Sequence, residues 1–550
     1  MSRLLTVCLS LAVSASTSLG FAHFPWIVLD GAEEQASVYF SESAEPDDAE
    51  HLKDLAGVKI KAWNDRSEPK EFEPQTIEAA LVAEVGRAQT VYLSHRYHKV
   101  NRRGESVLMQ YEAKAHAWPL SGTWTAIGSG SQLPLEIAAR RLDRQVQLKV
   151  LFQGKPLAQA PIYVSGAGLD SLEGKTDNEG SFLCQPTANG LLEVRTRRMA
   201  DESGEYNGQE YTSIRHWSTL TMPVHAATLK SVSHELSPLP HGITSFGAAV
   251  AGDWLYLYGG QIGGAHHYWR EGQSPDFMRL NLREESAWEK LTGGPRRTGT
   301  ALVAHKGLLY RVGGFEARND EKDDSDLHSM PDVARFDPAT GEWSAMPDLP
   351  LGRSSHDAAV LGDTLYVVGG WTLAGKGNST WQTDMLSLDL ADKQAAWQSI
   401  DVPFRRRALS AAAHDGKLYV IGGMQEDGNT TTTVNVYDPR TKAWSDAPPL
   451  FGAPLEGFGT SAFGWDGKLR VTTMSGAIQQ LAEDGLAWQV AGQLQQRRFF
   501  HRMLPMPGNR GAIVGGADME TGKVLELEVI EAIEGKDNSK TNSAAGAAGQ

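Results

Sequence analysis

Four arginines recur at a near-constant distance from a glycine pair. Arg297, Arg353 and Arg406 lie 16 residues before the first glycine of Gly313-Gly314, Gly369-Gly370 and Gly422-Gly423, and Arg498 lies 17 before Gly515. A guanidinium is always charged and offers a planar fork of donors that matches a carboxylate, so arginines gathered in one place would bind an anion. The alternative for each is a structural tie. The segments after the glycine pairs carry His266, His267, Trp269, Trp371 and Trp381, rings suited to stacking on sugar or peptide. A second chemistry is offered by His23, His95, His98 and His116, because imidazole is a common ligand for divalent transition metals. His95-x-x-His98 on a strand-to-loop edge would join His23 in a metal site; the bland reading of all but His23 is ordinary surface histidine.

These residues are carried on a repeat. The runs 255–258, 309–312, 365–368, 418–421 and 512–514, rich in apolar residues and tyrosine, each end on a glycine pair, while a weaker copy at 469–474 has lost its glycines. Counted from the first glycine of each pair, with Thr473 standing in, the intervals are 54, 56, 53, 51 and 42 residues. Trp288, Trp343, Trp397, Trp444 and Trp488 follow in phase. Each unit reads as a four-stranded antiparallel blade whose second strand ends at the glycines, whose third ends in a turn such as Phe336-Asp337-Pro338, and whose fourth opens on tryptophan. A blade cannot bury both faces alone, so blades stack in a ring. The last unit supplies three strands, and residues 228–236 align with the fourth strands of other units. They are predicted to complete the sixth blade, because closure removes exposed sheet edges. Strand order then puts the four arginines and the loops 261–277, 315–332 and 371–384 at one mouth of the central channel.

On these motifs residues 228–532 resemble a kelch β-propeller, whose period is about 50 residues. The resemblance implies a fold and leaves function open, since such rings serve binding modules and enzymes alike. Exported kelch rings resembling sialic-acid mutarotases imply a rival reading, a carbohydrate-active isomerase, with Glu456 as acid-base group beside Arg406. Copper-radical oxidases share the ring but need a cysteine crosslinked to tyrosine. The ring contains no cysteine, which excludes that chemistry.

Ahead of the ring, residues 1–22 combine Arg3, an apolar run and a small-residue end, and read as a secretory leader cleaved near Ala22. His23 would then be the first residue, its α-amine and imidazole together a bidentate ligand for Cu or Ni. Cys184 would be the lone remaining cysteine, leaving no internal disulfide. Residues 23–135 and 136–227 alternate in short strands and read as two small β-sandwich units, of immunoglobulin or transthyretin type. The acidic stretch 42–54 reads as a solvated loop or short helix. The two units resemble a family of exported bacterial β-domains related to an accessory component of nickel transport. That likeness rests on Ala22-His23-Phe24-Pro25-Trp26, Tyr111-Glu112-Ala113-Lys114-Ala115, Gly154-Lys155-Pro156-Leu157, the turn at 176–180 and His216-Trp217-Ser218-Thr219-Leu220-Thr221. Residues 533–550 are too poor in apolar side chains to fold.

The expected fold class is therefore all-β, a six-bladed propeller behind two sandwiches. A net charge of −15 argues against nucleic acid and anionic membrane as partners, and no apolar run long enough to span a membrane follows residue 22. The expected function is a secreted or periplasmic recognition protein that binds an acidic, sugar-like or protein ligand at the arginine-lined mouth.

Overall fold

The computed structural model describes residues 23–533 except 31–33, 65–67, 101–104, 121, 128–131 and 285, and the side chains of 98–100. The segment read as a leader, 1–22, and residues 534–550 of the expected tail lie outside the described residues. Nearly every element is a β-strand, joined by two short 3₁₀ turns.

Two cores precede the ring. The first gathers Trp26, Val38, Phe40, Leu55, Ile60, Val91 and Tyr111; the second gathers Ile137, Leu148, Val150, Ile162, Val194, Leu220 and Met222. Each lies on alternate positions of its strands, as a half-buried strand requires. The two units are not separate sheets, however. One eight-stranded sheet runs through both, with Ser213–Val224 beside Ser106–His116 at its centre. That pair is parallel. The cores do not part at 135/136 either: Leu120 and Leu135 belong to the second, Leu191 and Trp217 pack against the first, and one sheet covers both. His225 then anchors the ring: its Nδ1 accepts the Val490 N–H at 2.9 Å, and Arg141 donates to its carbonyl at 2.8 Å.

Six four-stranded sheets follow, their first strands Gly247–Ala251, Ala301–His305, Asp357–Leu361, Ser410–His414, Ser461–Trp465 and Arg502–Met506. The sixth sheet is completed by Leu229–Ser233, which pairs antiparallel with Glu528–Ala532. The strand deficit is filled from the front of the ring.

Tryptophan and glycine mark the blade junctions for physical reasons. The indole N–H of Trp343, Trp397, Trp444 and Trp488 donates to the carbonyls of Thr292, Pro347, Asp401 and Pro448, each on the preceding blade. Gly370 has φ 87°, and a Cβ there would stand 2.5 Å from the Ser354 carbonyl. A side chain at that position would force the strand end away from its own blade's entry loop.

Candidate functional site

The site is built on a ring of backbone amides that closes around the channel. Just before each innermost strand stands one residue in the left-handed region: Ser245, Gly299, Ser355, Ala408, Gly459 and Phe500. Each N–H donates to the carbonyl of its neighbour. Gly299 donates to Ser245, Ser355 to Gly299, Ala408 to Ser355, Gly459 to Ala408, Phe500 to Gly459 and Ser245 to Phe500, over 2.7–3.4 Å. Four of the six are not glycine, and each such residue costs about 1–2 kcal/mol of local strain. The cooperative ring of hydrogen bonds holds them in place.

Directly inside that ring an ion pair spans the channel. Arg502, at the head of the sixth blade, reaches across to Asp357, at the head of the third, with Nη1 and Oδ1 2.8 Å apart. In a ring of six these blades are opposite. Asp357 also accepts the Ala411 N–H at 2.9 Å. Beside the pair, burial and neighbouring arginines push His356 and His501 down to about 3, so both are neutral at physiological pH.

Above this floor opens a cavity of about 900 Å³. Its walls are largely apolar, with Phe246, Phe315, Phe458, Phe499 and Phe500 prominent. The long loops form the rim. They are fastened to one another: Arg270 donates to the Arg318 carbonyl at 2.6 Å, and the Gly375 N–H donates to the Leu327 carbonyl at 2.9 Å.

The four arginines expected at this mouth do not line the cavity. Each turns into its own blade, toward the point where strands two and three part company at the glycines. Arg353 donates to the Asp384 carbonyl at 3.0 Å and pairs with the Asp384 carboxylate at 2.5 Å. Arg297 pairs with Asp332 at 2.9 Å and Glu316 at 3.2 Å. Arg406 donates to the carbonyls of Gly422 and Thr433, both at 2.9 Å, and to Asn435. Arg498 pairs with buried Glu528 and donates to the Glu526 carbonyl at 2.9 Å. These residues are ties, and the carbonyls of Arg297, Arg353 and Arg406 also receive a glycine N–H of the preceding blade, from Gly260, Gly314 and Gly370 at 2.7–2.8 Å.

Arg407, one residue along, is the arginine at the cavity. Its guanidinium lies 4.1 Å over the Trp371 ring and 5.6 Å from that of Trp381. It belongs to no ion pair among the described residues, and its Nε is buried without a partner. Burial lowers its pKa from the usual arginine range. Trp371 lines the cavity and Trp381 backs it. On the first loop the facing alternates the other way. His266 and Tyr268 line the cavity, whereas His267 bonds the Glu321 carbonyl at 2.9 Å and stacks against Trp269.

Glu456 is also directed elsewhere. Its carboxylate accepts from the Ser475 hydroxyl at 2.7 Å, bracing the fifth-blade turn in which Thr473-Met474 stand in place of the glycine pair, and burial raises its pKa.

The predicted metal ligands are scattered. His116 is buried against Thr90 at 3.3 Å and pushed down to about 3 by burial. His95 packs on Tyr97 and is held below the usual histidine range by burial. The backbone of His98 pairs with Leu108, and its side chain lies outside the described residues. His23 keeps other company, considered below.

Comparison with known proteins agrees with this geometry. A family model for the kelch motif matches residues 296–350 and 405–450. The ring is a kelch-repeat β-propeller. Kelch-like protein 35 of Mus musculus is 26% identical over 244 residues, 44% of this chain and 37% of that protein. Kelch-like protein terF of Aspergillus terreus (strain NIH 2624 / FGSC A1156) is 24% identical over 239 residues, 43% of this chain and 50% of that protein. Kelch-like protein 33 of Homo sapiens is 35% identical over 144 residues, 26% of each chain. The chain thus spans half or less of these relatives' own length. The solved structure of YjhT covers 55% of this chain and 98% of its own at 19% identity, with a TM-score of 0.44, a likeness too slight to decide anything.

Proposed function

We propose that this is a non-catalytic recognition protein whose propeller mouth receives an acidic residue of a partner protein, working outside the cytoplasm once residues 1–22 are removed. The observation that carries the proposal is Arg407: a desolvated guanidinium with no carboxylate among the described residues, clamped on Trp371 at the wall of a cavity. An unpaired charge taken out of water is expensive, and an incoming carboxylate would supply the missing partner. Aromatic walls around a lone arginine are also the composition of an interface hot spot. Kelch matches along the ring favour protein binding over small-molecule turnover.

The isomerase reading loses its acid-base group, because Glu456 is engaged with Ser475 and is not at the cavity. A panel of labelled peptides with one Asp or Glu among apolar residues, titrated by fluorescence anisotropy, tests the proposal. Arg407→Ala should weaken binding by roughly ten- to a hundredfold, the worth of a charged hydrogen bond. Binding that persists unchanged in Arg407→Ala, or a panel blank on the wild type, would sink it.

A further inference from the structure

In the first sandwich three metal-ligating side chains converge that do not belong to the propeller mouth. His23 immediately precedes the strand Phe24–Asp30, Asp47 lies in the segment between the next strand, Gln35–Ser41, and the 3₁₀ helix Ala49–Leu55, and His51 lies in that helix. His23 Nε2 is 3.1 Å from Asp47 Oδ2, and His51 Nδ1 is 3.9 Å from the same oxygen. The two imidazole rings are 3.8 Å apart at their centroids. One donor atom from each residue lies within 4.8 Å of the other two. Donors bound to one metal at about 2.0–2.2 Å stand roughly 3–3.5 Å from one another, so separations of up to 4.8 Å would have to close by up to roughly 1–2 Å on binding.

The three groups are held from behind. Asp47 Oδ1 accepts the Asp48 N–H at 2.8 Å, which leaves Oδ2 to the imidazoles. The Tyr111 hydroxyl donates to the His23 carbonyl at 3.4 Å, and Phe40 stacks on the His23 ring. Independently, His51 Nδ1 is buried and has no hydrogen-bond partner. A buried nitrogen facing a carboxylate with no bond to it is a group awaiting a third atom.

We propose that His23, Asp47 and His51 form a mononuclear site for a borderline divalent transition metal, Cu(II), Ni(II) or Zn(II). Two imidazoles and one carboxylate suit these ions, and affinity at such a donor set rises to Cu(II). Three protein donors leave at least one coordination position open for an exogenous ligand. The site stands whether or not the propeller mouth binds an acidic partner.

The test uses Cu(II) and the full chain, in which the His23 nitrogen is in a peptide bond and only side chains are read. Calorimetry should give one equivalent bound, and the paramagnetic resonance spectrum should carry two imidazole nitrogens. Asp47→Asn and His51→Ala should each weaken binding at least tenfold, with His234→Ala, an exposed propeller histidine, unchanged. Should His51→Ala fail to fold, Asp47→Asn alters only an exposed loop and reads the same question. Wild-type affinity in Asp47→Asn, no saturable binding in the wild type, or an equal loss in His234→Ala would each overturn the assignment.

Discussion

Adjacent arginines divide the labour of the mouth. Arg406 and Arg407 point to opposite sides of one extended segment, so Arg406 enters the blade and Arg407 enters the cavity. Spacing from the glycine pair located this segment but not which of two neighbouring side chains faces the channel. Both lie in the short strand Arg406–Arg407, where successive side chains alternate, and the residue types do not say which is which. The same blind spot picked Trp269 over Tyr268 and left His266, which lines the cavity, unseparated from His267, which does not. His51 was passed over because it lies in an acidic stretch that reads as solvent-exposed, although Asp47 and His51 share helical i, i+4 spacing. The two arginine classes should separate on melting. Arg353→Ala would leave Asp384, whose side chain is 24% exposed, without its partner, and should lower stability by on the order of 2–4 kcal/mol, somewhat less than for a fully buried pair. Arg407→Ala, which breaks no ion pair, should change stability by about 1 kcal/mol or less. Denaturant midpoints for both variants check the assignment, and equal losses would return Arg407 to the structural class.

At the scale of elements, what repeats was readable and what pairs at a distance was not. Glycine pairs and tryptophans fall in register because each satisfies a junction that every blade must make, and the missing fourth strand followed from counting. The shared sheet of the two sandwiches did not follow. Alternation reports that Ser106–His116 and Ser213–Val224 are strands, yet nothing in either says that they lie side by side across about a hundred intervening residues. Two element-level outcomes are expected. Deleting Leu229–Ser233 removes the outer strand that closes the sixth blade and should lower the melting temperature of the whole ring, because ring stability is shared between neighbours. An unchanged melt would mean the ring closes without it. Trp397→Phe, which keeps the ring and removes the N–H bonded to Pro347 at 2.9 Å, should cost about 1 kcal/mol. A double-mutant comparison with Trp444→Phe should be additive, since the two bonds join different pairs of blades.

Across the whole molecule, buried neutral histidines couple folding to acid. His116 in the first sandwich and His356 and His501 at the channel floor are all held at about 3, with His216 and His225 at about 4. Burial is the main cause in each, and at His501 the nearby charges of Arg498 and Arg502 add to it. An unfolded histidine takes up its proton near pH 6.5. Between that pH and about 3 the unfolded state therefore binds more protons, so stability is full above 6.5 and is lost as pH falls. Each such group contributes on the order of 1 kcal/mol per pH unit over that window. Buried Glu112, raised well above the carboxylate range by desolvation, opposes this, because its folded form holds a proton that the unfolded form releases above about 4.5. Buried Glu456 and partly buried Glu193, likewise raised by burial, oppose it too, and five histidines against these three carboxylates leave the net slope positive from pH 5 to 6. Denaturant midpoints measured at half-unit steps should fall over that range, and His501→Gln should flatten the fall for the ring even if its own baseline is lower. Binding at the mouth should behave differently: both floor histidines stay neutral down to about pH 5 and Arg407 stays charged, so affinity for an acidic peptide should be level between pH 6 and 8. A binding curve that tracks the stability curve through pH 6 would place a titrating histidine, rather than Arg407, at the centre of recognition.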